Sequence, residues 1–275
     1  MEDRTNPGAA PILEVEGLSK AFAGVQALDS YVLRLAPLAI HGVIGPNGAG
    51  KTTLFNLLTG FLMPTAGAIR FLGRDITRLP AYRVARLGIG RTFQNIRLFG
   101  QLSAIDNVKT ALQSQAPASL IGTLISSAAF RRRERVLDER AQELLERVGL
   151  AGRRDQESRT LAYGDQRRLE IARAVALNPK VLLLDEPNAG MNPNETAELL
   201  ALVRRLRDEL KITIILVAHD IPLVMNLCDS IQVLNYGRLI AEGQPAAVRN
   251  NPEVIAAYLG QESGVRIQND SSGNQ

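Results

Sequence analysis

The chain has 275 residues, 45% hydrophobic and 22% charged, a balance that suits one large α/β domain or two lobes and excludes a collagen-like or wholly disordered polymer. Its formal charge of +4 comes from 32 basic and 28 acidic residues spread along the chain. No nucleic-acid partner is expected from that pattern, and a position near anionic lipid suits it equally well. A single cysteine, Cys228, excludes an internal disulfide and a thiolate metal cluster.

The start, Met1 to Pro11, is polar and reads as a flexible leader without the apolar core of a secretory signal. No run reaches the roughly 18–20 apolar residues of a spanning helix, so a membrane would be met only through a partner. Ile12 to Leu35 alternates apolar and polar residues in strand-like pieces broken at Gly17 and Gly24. Ala39 to Ile44 predicts a buried strand, followed by a glycine-rich turn and a helix over Thr52 to Leu58. Gly67 to Leu72 predicts another strand, and a polar segment runs on to Gly88. From Ala104 to Ala176 the pattern is mostly helical, with Arg and Glu at i,i+4 spacing over Glu134 to Val148. Within it, Ala118 to Phe130 is apolar and precedes Arg131-Arg132-Arg133, which fits a buried turn of a helical lobe better than a membrane-surface helix. Val181 to Leu184 and Ile212 to Val217 read as strands around a helix from Glu195 to Leu210. Ser230 to Leu234 and Arg238 to Ala241 form a hairpin pattern about Tyr236-Gly237, and residues 261–275 make a flexible polar tail. Strand and helix alternating around the glycine turn predict a parallel sheet flanked by helices, with the helical middle as a second lobe.

The chemistry starts at Gly45-Pro46-Asn47-Gly48-Ala49-Gly50-Lys51-Thr52, a G-x-x-x-x-G-K-T pattern between a predicted strand and a predicted helix. Such a loop turns successive N–H groups inward at phosphate oxygens, and the helix start adds partial positive charge. Lys51 supplies a point charge for the β- and γ-phosphates, and the Thr52 hydroxyl a ligand for Mg²⁺. The pattern predicts a nucleoside triphosphate as ligand. The apolar strand Val181 to Leu184 runs into Asp185-Glu186. Asp185 is expected near the Mg²⁺ and Glu186 to orient and deprotonate a water. The strand ending at Ala218 leads to His219, expected to donate to a γ-phosphate oxygen.

With these motifs the chain resembles ATP-binding-cassette (ABC) ATPases over nearly all of Leu13 to Gly260. The resemblance rests on Leu161-Ala162-Tyr163-Gly164-Asp165-Gln166-Arg167-Arg168-Leu169-Glu170, similar to that family's signature loop and helix. It implies an α/β P-loop NTPase (RecA-like) core with an N-terminal antiparallel β subdomain and an inserted α-helical subdomain. The cassette would span 12–260, with the helical subdomain at about 95–176. It implies an ATPase using ATP and Mg²⁺ that works as a head-to-tail pair with a second ABC ATPase subunit. The phosphate loop then includes Thr53. Leu161 to Asp165 contact the partner's ATP, and Ala189, Gly190, Met191 and Asn192 form a communication loop. Gln94 touches Mg²⁺ and hinges toward the membrane subunit, and Phe22 stands where an aromatic stacks on adenine, although a core position suits it nearly as well.

The family's commonest signature is Leu-Ser-Gly-Gly-Gln, so Ala162 lacks a hydroxyl, Tyr163 replaces glycine and Asp165 replaces glutamine. Asp165 is open to two readings, a helix cap or a charge that weakens closure on nucleotide. Asn192 stands where an aspartate is usual. The wording Arg91-Thr92-Phe93-Gln94-Asn95-Ile96-Arg97-Leu98-Phe99 and the end Asn251-Pro252-Glu253-Val254-Ile255-Ala256-Ala257-Tyr258-Leu259-Gly260 resemble importers of branched-chain amino acids. This implies transmembrane permease subunits, a periplasmic or extracellular solute-binding protein as an indirect partner, and a peripheral place on the cytoplasmic face of the inner membrane. The alternatives are the ATPase of a lipopolysaccharide or other exporter and a soluble non-transport ABC ATPase.

Overall fold

The computed structural model describes residues 10–114 and 128–258. The expectations for the tail, for most of the leader and for the side chains of 118–130 lie outside the described residues. The chain divides into two compact units, one made of the residues up to Val84 with those from Thr213 onward, the other of Ala85–Ile212.

In the first unit, β1 (Leu13–Phe22) and β2 (Val25–Leu35) pair antiparallel. The two-residue turn between them, Ala23-Gly24, has positive φ at both positions, as the right-handed twist of a tight hairpin requires. The predicted break at Gly17 is instead a bulge inside β1: the register shifts between Val15 and Leu18 and the strand continues. Strands β4 (Ala66–Phe71) and β5 (Arg74–Asp75) complete the order β2-β1-β4-β5. Alternation gives this sheet its inner face, with Leu13, Val15, Leu18, Leu28, Tyr31, Leu33 and Leu35 all buried.

The same unit holds β3 (Ile40–Ile44), β8 (Thr213–Val217), β9 (Ser230–Asn235) and β10 (Arg238–Gly243). β3 lies parallel to both β8 and β9, and every residue of β3 and β8 is buried, as expected of a parallel sheet covered on both faces. β9 and β10 form the expected hairpin. Helix α1 (Lys51–Leu58) follows β3 and buries Leu54, Phe55, Leu57 and Leu58. A buried polar seam joins the two sheets, where the Tyr31 hydroxyl meets Gln232 Oε1, and Gln232 Nε2 donates to the Val32 carbonyl at 3.1 Å.

In the second unit, β6 (Ile89–Arg91) and β7 (Val181–Asp185) pair in parallel. Helices α3 (Ala104–Ser114), α4 (Ala128–Arg147) and α5 (Tyr163–Ala176) pack on one another, and α6 (Pro193–Leu210) follows β7. Several short helices escape the sequence pattern. Helix α2 (Ala81–Leu87), which crosses the division between units, buries only Val84 and so shows no periodicity. Helix α7 (Ile221–Leu227) has seven residues, too few for a stripe, and is set by Asp220 accepting from the Leu223 N–H. The short helix α8 (Pro245–Arg249) and a helical segment over 252–258 complete the described chain.

His41 on β3 is fully enclosed, its Nδ1 2.8 Å from Ser230 Oγ. Burial pushes its pKa down from 6.5 to about 4, with the neighbouring Gln232 side chain opposing part of the shift. Between those values the unfolded chain binds a proton that the folded chain refuses, so this stability is complete above 6.5 and is lost as pH falls toward 4. The full effect is on the order of 3 kcal/mol. Urea midpoints taken at about pH 7.5 and about pH 4.5 should fall less in His41→Gln than in the wild type; equal falls would contradict this role.

Candidate functional site

The first unit carries the glycine loop between β3 and α1. A Cβ built on Gly45 would sit 2.1 Å from the Leu234 carbonyl oxygen, and one on Gly50 would sit 2.6 Å from that of Ala27. Gly50 also holds φ at 103°, a backbone state that L side chains rarely adopt. Neighbouring strands thus leave room for main chain only. The turn of the β9–β10 hairpin pins the loop from outside: the Gly237 N–H donates to the Ala49 carbonyl at 3.0 Å, and the Gly237 carbonyl accepts from Asp29 N–H at 2.8 Å.

Gly50 is the N-cap of α1, with no side-chain cap and no acidic residue in the first turn. The helix therefore presents its first amides and its positive end without a side chain of its own to satisfy them. The buried Lys51 ammonium donates to the carbonyls of Gly45 at 2.6 Å and Pro46 at 2.9 Å. Uncapped amides beside a buried cation fit a chain of phosphates. Thr52 is exposed and Thr53 half-buried. His219 is exposed just beyond β8. Phe22 ends β1 with 43% of its surface exposed, so it is no core residue, and Lys20 Nζ lies 5.1 Å from its ring centroid.

The second unit carries the acids. Asp185 closes β7 in a buried pair with Arg91, whose Nη2 lies 2.8 Å away, both side chains being 6% exposed. Thr92 braces the same point, donating its N–H to the Leu183 carbonyl and accepting from Asp185 N–H at 3.2 Å. Glu186 follows with φ of 46°, a left-handed state that costs a non-glycine residue about 1–3 kcal/mol and turns the chain sharply out of the strand. Gln94 Nε2 donates to Glu186 Oε2 at 3.1 Å. Among the described residues no group of three or more His, Cys, Asp and Glu could hold a metal. Mg²⁺ needs no such group, because it is bound through one or two carboxylates and completes its shell with phosphate oxygens, water and neutral oxygen ligands.

The signature helix α5 begins at Tyr163, with Ala162 as an N-cap that makes no side-chain hydrogen bond. Its first amides are left without a side-chain acceptor, as in α1. Asp165 is not the cap. It lies in the first turn and pairs with Arg153 at 3.0 Å, so the capping reading does not hold. A Cβ on Gly164 would come 3.1 Å from Glu195 Oε1, and one on Gly190 would come 3.2 Å from the Tyr163 ring. Leu161 is buried, and Ala189 and Met191 close their turn with N–H bonds to the Glu186 and Asn188 carbonyls. Asn192 caps α6 in a reciprocal box: its Oδ1 accepts from Asn194 and Glu195 N–H at 3.0 Å, and Glu195 Oε2 accepts from its N–H at 2.9 Å. Asparagine caps a helix as well as aspartate does, so the departure at 192 leaves this local structure intact.

Three neighbours of these residues had no assigned role in the sequence reading: Arg91, Arg167 and Glu170. Arg167 donates to the Phe93 carbonyl at 2.7 Å and to that of Gln94. Glu170 accepts from Phe93 N–H at 3.2 Å, and burial pushes its carboxyl above the ordinary range against the pull of that bond and of Arg167. No spacing rule announces such partners, because they lie far along the chain from the groups they hold.

The family model described as ABC transporter matches residues 28–189. The chain belongs to the ABC transporter family. It is an ABC-type ATPase, an ATP-hydrolysing motor subunit whose nucleotide and metal are ATP and Mg²⁺. A second model, described as branched-chain amino acid ATP-binding cassette transporter, matches residues 238–263. The high-affinity branched-chain amino acid transport ATP-binding protein BraF of Pseudomonas aeruginosa is 47% identical over 251 residues, 91% of this chain and 98% of that protein. The lipopolysaccharide export system ATP-binding protein LptB of Acidithiobacillus ferridurans is 34% identical, over 90% of this chain and 97% of its own. Among solved structures, the ADP conformation of MJ1267, an ATP-binding cassette of an ABC transporter, aligns with a TM-score of 0.79 at 29% identity, covering 92% of this chain and all of that one. The fold is thus the expected P-loop NTPase (RecA-like) core with an N-terminal β subdomain and an α-helical subdomain. No helix among the described residues is long and apolar enough to cross a membrane.

Removing one partner of a buried ion pair leaves the other charge uncompensated, at a cost of about 3–5 kcal/mol. Arg91→Ala should therefore lower the urea unfolding free energy by about that amount in nucleotide-free protein, with a smaller loss in the apolar double variant Arg91→Met/Asp185→Leu. An unchanged midpoint in Arg91→Ala would contradict the buried pair.

Proposed function

We propose that this chain is the ATPase subunit of an importer for branched-chain or other hydrophobic amino acids. The observation that carries the cargo is the match of residues 238–263 to the model specific to branched-chain amino acid cassettes, a segment outside the nucleotide motifs. The higher identity to BraF than to the lipopolysaccharide-export relative, 47% against 34%, supports the same reading. The subunit pairs head to tail with a second ABC ATPase, acts on transmembrane permeases from the cytoplasmic face of the inner membrane as a peripheral protein, and serves a solute-binding protein indirectly. The cassette covers 12–260, with its helical subdomain at about 95–176.

Within the cassette we assign roles residue by residue. The amides of Gly45 to Thr53 and the Lys51 ammonium bind the triphosphate, and the exposed Phe22 ring takes the adenine. Thr52, Asp185 and Gln94 hold Mg²⁺, which when bound neutralises charge on the phosphate oxygens. Glu186 orients a water and takes its proton, and His219 donates to a γ-phosphate oxygen. Leu161 to Asp165 contribute the uncapped start of α5 to the partner's nucleotide, and Ala189 to Asn192 form the communication loop. The left-handed backbone at Glu186 and the Gln94 hydrogen bond support its assignment, because both fix the carboxylate outside the strand rather than within it.

Glu186→Gln should keep ATP binding while turnover falls by roughly 10²- to 10⁴-fold, the scale of a lost general base. Wild-type hydrolysis would remove Glu186 from its role. Lys51→Ala should abolish tight ATP binding or turnover through loss of a charge-assisted contact, read by titration calorimetry and phosphate release. For the cargo, the complex with its permeases reconstituted in vesicles should hydrolyse ATP faster with leucine, isoleucine or valine and their binding protein; stimulation only by a lipid substrate would overturn the importer reading.

A further inference from the structure

Gln94 reaches Glu186 from a segment with no regular structure: residues 92–99 lie in neither helix nor strand. Its backbone is instead gripped by α5. Arg167, 2% exposed, sends Nη1 to the Phe93 carbonyl at 2.7 Å and Nη2 to the Gln94 carbonyl. Glu170 Oε1 takes the Phe93 N–H at 3.2 Å, and its Oε2 lies 3.3 Å from the same guanidinium. The peptide groups on either side of the Gln94 Cα are thereby fixed by one rigid fork, and the carboxylate fixes the peptide before them. Tyr163 completes the set. Its hydroxyl lies 2.9 Å from Arg167 Nη2, the arm that holds Gln94, and its ring faces Gly190 in the loop that follows Glu186. The guanidinium carbon sits 5.3 Å from the centroid of that ring.

We propose that Tyr163, Arg167 and Glu170 are positioning residues for ATP hydrolysis, locking the Phe93–Gln94 backbone so that the Gln94 amide holds the Glu186 carboxylate for reaction. In this arrangement Tyr163, where the family's commonest signature has glycine, ties the signature helix to the catalytic glutamate of its own chain. The inference rests on the assignment of Glu186 as general base. It differs from a role on the partner's nucleotide because its route runs through Gln94.

The hydroxyl alone is removed by Tyr163→Phe, which keeps the ring on Gly190. Steady-state ATPase of the full-length chain should show kcat reduced about 3- to 10-fold, the scale of one ordinary hydrogen bond, with KM for ATP unchanged. In a Gln94→Ala background the same substitution should have no further effect, since its target is gone. Arg167→Lys, which keeps the charge and loses the fork, should lower kcat at least as much at constant KM. An unchanged kcat in Tyr163→Phe overturns the proposal. So does an independent, multiplicative loss in the Gln94→Ala background, or a rise in KM that reports contact with nucleotide. Glu186→Gln measured alongside separates the two levels: undiminished hydrolysis there sinks the base assignment itself, whereas a collapse there with a failed cycle sinks only the positioning role.

Discussion

Two carbonyl oxygens, those of Leu234 and Ala27, stand where side chains on Gly45 and Gly50 would have to go. That crowding is the constraint on which the nucleotide chemistry depends. It forces the loop between β3 and α1 to be bare main chain, and bare main chain is what brings amides, rather than side chains, to an anion. The strands supplying those carbonyls belong to different sheets of the first unit, β9 and β2, and the hairpin turn at Gly237 is hydrogen-bonded to both Ala49 and Asp29. A loop that looks flexible in sequence is thus held by strands on either side. Lys51, folded back on two loop carbonyls, has its charge buried and directed before any phosphate arrives.

The second unit manages charge by a different device. Asp185 lies at the end of a wholly buried strand, where an unpaired carboxylate would be strongly destabilising, and Arg91 meets that need. Glu186, the next residue, escapes burial through a left-handed backbone step that brings it to Gln94. Adjacent acids in sequence therefore have separate environments, one paired inside the fold and one facing outward. Such separation of environments is how a fold sets two neighbouring carboxylates to different tasks.

Much of this was legible in the chain. The glycine-lysine-threonine pattern, the apolar strand running into two acids and the Tyr236-Gly237 hairpin all follow from local rules, because each needs only residues that are neighbours in sequence. The bulge at Gly17 read as a break because a glycine signals positive φ without saying whether the strand resumes beyond it. Asp165 illustrates another limit. A short acid beside a helix start resembles a cap, but a carboxylate in the first turn is satisfied equally by a cation from elsewhere, here Arg153. Arg91, Arg167 and Glu170 were invisible for the same reason: their partners are brought to them by the fold. Asn192 shows the reverse, a departure from the family's pattern that the structure makes harmless for capping.

The most direct measurement is a crystal structure of the full chain with Mg²⁺ and a non-hydrolysable ATP analogue. The account predicts phosphate oxygens against the main-chain amides at the start of α1, with the Lys51 ammonium transferred from the Gly45 and Pro46 carbonyls to the β- and γ-phosphates. An analogue bound elsewhere, with Lys51 still on those two carbonyls, would contradict it.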